Sequence, residues 1–148
     1  MPGGTEAFLA ADVGGTHVRV ALVAPPPGGG AAVQLRQYAK YRARDHKGLG
    51  EILADFLGQV PVPVRRGVIA SAGYALADGS VITANLPWPL PVRQLQAQLG
   101  MSDLRLINDF EALAHAAVQV DASQVLQLCG PVQTAPGPLL VLGPGTGL

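Results

Sequence analysis

Apolar positions open the chain as a run from Phe8 to Val13, stop at Gly14-Gly15, and resume from His17 to Val23 with Val18, Val20 and Leu22 alternating. A period of two marks a half-buried strand, and a glycine turn between two such runs predicts a hairpin. Pro25-Pro26-Pro27-Gly28-Gly29-Gly30 reads as a loop, because proline and glycine both interrupt regular structure. Val33 to Arg42 predicts a third strand. Leu49, Ile52, Leu53, Phe56 and Leu57 then fall at the three- and four-residue spacing of an amphipathic helix, with Gly58 and Pro61 to end it.

Further along, Val68-Ile69-Ala70 predicts a buried strand, and Asp78-Gly79 a hairpin turn before Val81-Ile82-Thr83. The prolines of Asn85-Leu86-Pro87-Trp88-Pro89 exclude regular structure there, and Trp88 reads as a packing anchor. Val92, Leu95 and Leu99 predict a short helix ending at Gly100, followed by a strand over Leu104–Ile107. Phe110, Leu113, Ala114, Ala117 and Val118 mark the next helix, and Val125–Leu128 a strand. Leu139 to Leu142 predicts a last strand entering a hairpin at Gly143. Three strands followed by alternating helices and strands predict an α/β fold, a mixed sheet with flanking helices in ribonuclease-H-like order.

Composition narrows this picture. A chain of 148 residues suits one domain, which buries roughly 68–70% of its unfolded surface. With 49% apolar and 14% charged residues it is not a disordered chain. Ten basic and ten acidic side chains cancel, which argues against a nucleic-acid binder with its basic stripe. The single cysteine, Cys129, excludes a disulfide framework and a thiolate zinc site, and reads as a small apolar filler. No basic segment precedes the first apolar run, and no run approaches the roughly 20 residues of a membrane span. A reducing, cytoplasmic setting without membrane attachment is the default expectation.

Three segments could carry chemistry. In Asp12-Val13-Gly14-Gly15-Thr16, glycines let the backbone approach a ligand, and successive N–H groups of a tight turn form an anion cradle. Thr16 adds a hydroxyl, and Asp12 is placed to hold magnesium through water. The competing reading is a plain hairpin whose glycines supply positive φ; the flanking Asp12 and Thr16 favour the anion site. Gly143-Pro144-Gly145-Thr146-Gly147 has neither the lysine of a P-loop nor dinucleotide spacing, so alone it is a turn. It nevertheless echoes the first segment, and two such turns suggest two grips on one polyanion.

The third segment, Leu106-Ile107-Asn108-Asp109-Phe110-Glu111, runs from a strand into a helix. Asn108 as N-cap with Glu111 three residues on is a capping box, which accounts for both. Asp109 is left in the first turn, at the C-terminal end of a strand, where open α/β sheets bind ligands. It is the candidate catalytic carboxylate. His115 reads as a partly buried packing residue, while Arg42, Arg44 and Lys47 read as a solvated run. His17 and His46 have no partner at metal-ligand spacing.

Ala11-Asp12-Val13-Gly14-Gly15-Thr16 with Val18-Arg19-Val20-Ala21-Leu22 resembles the first phosphate motif of bacterial glucokinases, members of the sugar kinase, actin and heat-shock ATPase superfamily. Ile107-Asn108-Asp109-Phe110-Glu111-Ala112-Leu113-Ala114 is similar to their catalytic segment, and Leu142-Gly143-Pro144-Gly145-Thr146-Gly147-Leu148 to their second phosphate motif. Thr83-Ala84-Asn85-Leu86-Pro87-Trp88 resembles the loop before their sugar site. The resemblance implies an actin-like ATPase domain, with residues 1–148 as the N-terminal, small domain of a two-domain sugar kinase, cut within the second phosphate hairpin.

It further implies phosphorylation of glucose to glucose 6-phosphate by ATP and magnesium, a step of glycolysis. Asp109 would accept the proton of the sugar 6-hydroxyl as it attacks the γ-phosphate, with Asn108 and Asn85 contacting the sugar. Gly14, Gly15 and Thr16 would grip phosphate from one side, Gly145 and Thr146 from the other, and Asp12 would position Mg2+. The family's downstream Glu-Gly-Gly-His-like stretch is missing, so the isolated chain is expected to have little or no activity and to form a homodimer or otherwise self-associate through an exposed apolar face. Alternatives are a kinase for another hexose, a non-catalytic actin-like nucleotide-binding module, and a plain interaction domain that binds no ATP.

Overall fold

A computed structural model describes residues 6–26, 33–75, 81–82, 86–131 and 137–143. Strands β1 (Phe8–Val13), β2 (His17–Ala24) and β3 (Gln34–Arg42) form an antiparallel meander. After a 3-10 turn (Ala43–Asp45) and helix α1 (Leu49–Gly58), strand β4 (Arg66–Ser71) returns parallel to β1. The short strands β5 (Tyr74–Ala75) and β6 (Val81–Ile82) pair with each other apart from the main sheet. Helix α2 (Val92–Gln98) leads to β7 (Asp103–Asn108), parallel to β4, and helix α3 (Asp109–Ala117) follows at once. The main sheet has the order β3-β2-β1-β4-β7, a mixed sheet with helices on it, as the alternation predicts.

Strand alternation sorts the side chains onto two faces. Leu9, Ala11 and Val13 of β1, Val18, Val20 and Leu22 of β2, and Ile69 of β4 are buried on one face. Helix α1 lays Leu49, Ile52, Leu53 and Phe56 over that face, and α2 adds Leu95. Each such side chain contributes about 1.5–3 kcal/mol on burial, so this layer is the core. Trp88 is the predicted anchor: it is buried, and its indole N–H donates to the Ala43 carbonyl at 3.3 Å. Gly67 is demanded by close approach, since a Cβ there would lie 3.1 Å from both Leu9 Cβ and Leu104 Cδ1. Gly100, at φ +63°, ends α2. The Gly100 and Met101 N–H groups bond back to the carbonyls of Ala97 and Gln96, which is a Schellman motif.

The C-terminal third departs from expectation. Val125–Leu128 is not a strand, and the described part of the last predicted strand, Leu139–Leu142, has no regular structure either. Leu126, Leu128 and Leu142 are 80%, 85% and 81% exposed. An apolar run becomes a strand only where an edge is free to pair with it and a layer to cover it, and neither is offered to these segments among the described residues. Helix α3 forms as predicted but buries no side chain completely. His115 is exposed in its last turn rather than packed, and Cys129 is exposed rather than a core filler. The Asp78-Gly79 turn lies outside the described residues, although the strands on either side of it pair antiparallel.

Candidate active site at the parallel strand ends

The uncovered face of the sheet carries the chemistry. Register places Asp12 of β1 beside Ala70 of β4, and Ala70 beside Ile107 of β7. On this face α3 crosses the strand ends. Asp12, Ala70, Asp109, Phe110, Ala112, Leu113 and Ala116 together line a cleft of about 410 Å³. The alanines give the cleft its room, and its two carboxylates come from sequence positions almost a hundred residues apart.

Asp109 is held by the start of α3. Asn108 is the N-cap, as predicted, and its Oδ1 accepts the Phe110 N–H at 2.9 Å. Asp109 Oδ1 accepts the same N–H at 2.9 Å, so one donor fixes both side chains. The reciprocal bond from Glu111 that would complete a capping box is not formed among the described residues; Glu111 acts instead as an acidic group in the first turn, favoured by the helix dipole. One strand level from Asp12, Val13, Ser71 and Asn108 align across β1, β4 and β7. Ser71 is buried there, and its hydroxyl has no partner among the described residues.

Asp12 differs from expectation in one respect. Its side chain projects onto the open face, where Arg19, its register partner on β2, reaches Oδ2 at 2.8 Å. The spacing of the hairpin could have revealed this pair, because residues equidistant from the turn share a face. One carboxylate oxygen is taken, which suits a water-mediated hold on magnesium better than direct coordination. Among the described residues no cluster of three acidic, histidine or cysteine ligands surrounds Asp12.

In the turn, neither Gly14 nor Gly15 has positive φ, so the plain-hairpin explanation of the glycines fails. Gly14 is needed for space, since a Cβ would sit 3.3 Å from the His17 carbonyl that its own N–H bonds at 3.0 Å. The N–H groups of Gly15 and Thr16 have no partner among the described residues, and both residues are exposed. They are therefore available to an anion. Asn85, Gly145 and Thr146 lie outside the described residues. So does the turn of the second glycine segment, of which Gly143 is described: its Cα packs so near Phe110 that a Cβ would be 2.9 Å from Cζ.

A five-stranded mixed sheet in this order, with a cleft at its parallel strand ends, defines an α/β domain of the actin-like ATPase fold found in sugar kinases. A family model described as Glucokinase matches residues 9–148, and the chain belongs to the glucokinase family. It is 52% identical over 141 residues to a glucokinase-like protein of Xylella fastidiosa strain 9a5c, covering 95% of this chain and 42% of that one. It is 35% identical over 153 residues to the glucokinase of Stenotrophomonas maltophilia strain R551-3, covering 100% of this chain and 45% of that one. The chain thus spans less than half the length of these relatives. Among solved structures, the glucokinase of an Antarctic psychrotroph superposes with a TM-score of 0.71 at 30% identity, covering 80% of this chain and 37% of that one. The fold is also shared with the glucokinase of Balamuthia mandrillaris in complex with glucose, at TM-score 0.52 and 20% identity, covering 80% and 34%. No helix among the described residues is long and apolar enough to cross a membrane.

Proposed function

We propose that this chain carries the phosphate-turn and catalytic-base half of a glucokinase site. The reaction is transfer of the γ-phosphoryl group of ATP to the 6-hydroxyl of glucose, in the cytoplasm and at the head of glycolysis. The observation that carries this reading is the convergence of Asp12 and Asp109 on one cleft at the parallel strand ends.

In this reading Asp109 orients the 6-hydroxyl and takes its proton as the bond to phosphorus forms. A carboxylate is a weak base towards an alcohol, so orientation is a large part of its role; phosphoryl transfer has a loose transition state in which positioning dominates. The bond from Phe110 N–H to Asp109 Oδ1 fixes the carboxylate. Asn108 and Asn85 contact the sugar. The Gly15 and Thr16 N–H groups, with Gly14 allowing the tight turn, face phosphate from one side, and Gly145 and Thr146 from the other. Asp12 would hold magnesium through water, where the ion neutralises phosphate charge.

These 148 residues span less than half the length of the curated relatives they match. We therefore expect little or no kinase activity from the chain alone, and self-association through its exposed apolar residues. The alternative of a nucleotide-binding module without sugar chemistry is separated by one experiment. Residues 1–148 are joined to the downstream part of the Stenotrophomonas maltophilia glucokinase, and ATP affinity is measured with and without glucose. A glucose-dependent change supports the kinase; an unchanged affinity supports the module.

A further inference from the structure

A second cavity lies at the far end of the sheet from the Asp12–Asp109 cleft. The register Phe8↔Val23 and Leu9↔Leu22 sets the end of β2 beside the start of β1, whereas Asp12 lies near the other end of that strand. Leu22 and Ala24, both buried, supply an apolar floor, and Val62 between Pro61 and Pro63 adds an apolar wall from the segment that joins α1 to β4. The proline rings fix φ and carry no N–H, so that wall is stiff and poor in donors. The cavity measures about 630 Å³, within the roughly 300–1,000 Å³ of small-molecule sites. It shares no lining residue with the catalytic cleft or with the Gly14–Thr16 turn.

Two charged side chains, Arg36 and Glu6, complete the lining. Leu22 pairs with Gln37 and Val23 with Leu35, so Arg36 has no partner on β2 and is the extra residue of a β-bulge. Strict alternation from Gln37 would turn Arg36 away from Leu22, yet both line the same cavity. Bulges re-aim side chains in this way. Neither Arg36 nor Glu6 takes part in an ion pair among the described residues, with each other or with any third group. The cavity therefore offers one cation, one anion and an apolar surface. A simple carboxylate would be repelled by Glu6, and a simple amine by Arg36; a zwitterion with an apolar body satisfies all three.

We propose that this cavity binds a free apolar α-amino acid. Its carboxylate lies on the Arg36 fork, its ammonium on Glu6, and its side chain against Leu22, Ala24 and Val62. The site uses neither Asp109 nor the phosphate turn, so it stands or falls separately from the kinase reading.

The test is titration of the 15N-labelled 148-residue chain with phenylalanine, followed by NMR. Saturable shifts are expected at the amides of Ala24, Arg36 and Val62. Phenylalaninamide, without the carboxylate, and N-acetylphenylalanine, without the ammonium, should each bind about three- to tenfold more weakly, the range for one charge-assisted contact at an exposed rim. Arg36 and Glu6 are both exposed, so Arg36→Gln and Glu6→Gln leave the core untouched. Arg36→Gln should weaken phenylalanine by the same factor and leave phenylalaninamide unchanged; Glu6→Gln should do so and leave N-acetylphenylalanine unchanged. Arg93→Gln, on the exposed side of α2, controls for net charge and should bind like the parent. No shifts at these amides, equal affinity for the three ligands, or rim variants that bind like the control overturn the proposal.

Discussion

The two aspartates of the cleft are held by different means, and their substitution should report different things. Asp12 is paired with Arg19, but the two side chains are 53% and 47% exposed, so solvent screens the pair. Such pairs contribute about 0–1 kcal/mol, and Asp12→Ala should lower stability in urea by less than about 1 kcal/mol. A loss well above that would mean Asp12 is a structural residue. Asp109 is bonded within its own helix start, and its removal leaves the Asn108 cap in place. At this scale the sequence was informative wherever local chemistry decides: the cap at Asn108 and the first turn at Asp109 follow from residue type and order. Arg19 and Ala70 were not visible as site residues, because their roles depend on which strands become neighbours.

Among elements, the attachment of α1 to the sheet carries a titratable tie. The Tyr41 hydroxyl of β3 donates to Asp55 Oδ2 of α1 at 2.8 Å, and Gln59 donates to the same oxygen at 2.9 Å. Burial, then the bond and charge of Asp55, push the Tyr41 phenol up to about 12 from its ordinary value of 10.0. The folded state thus holds this proton more tightly than the unfolded chain. Its contribution to stability is complete below about pH 10 and is lost as pH climbs towards 12. Denaturation followed across that range should show a fall that is smaller in Tyr41→Phe; identical pH profiles would exclude the tie. The central strands make a second prediction. Gly67→Ala places a methyl 3.1 Å from Leu9 and Leu104 atoms, and overpacking of this kind costs about 1–3 kcal/mol. A neutral result in urea would show that β1 and β7 can yield.

The same scale explains which elements were legible. Strands β1, β2, β4 and β7 and helices α1 and α2 match the reading of their periodicity, because each has a buried partner that rewards the pattern. Val125–Leu128 and Leu139–Leu142 have equally apolar sequences, yet no neighbouring edge binds them among the described residues. Hydrophobicity states that a segment seeks cover. It does not state that cover exists.

At the scale of these 148 residues, the lack of cover among the described residues has consequences. Phe110, Leu113, Val118, Leu126, Leu128, Leu140 and Leu142 are exposed on or after α3, and apolar surface of this extent drives association. Sedimentation at tens of micromolar should show dimers or larger species; a clean monomer would contradict this. The chain alone should also release no ADP in a glucose-dependent manner, and a signal above the no-sugar control would show the half-site to be sufficient. The central claim, that Asp109 is the base of a glucokinase site, is tested most directly in the chimera with the Stenotrophomonas maltophilia glucokinase. Glucose-dependent ADP formation is measured before and after Asp109→Asn. Loss of a general base lowers turnover by about 10²–10⁴-fold, and a fall in that range with ATP binding intact is the predicted result. Retention of more than about a tenth of the rate would contradict the assignment.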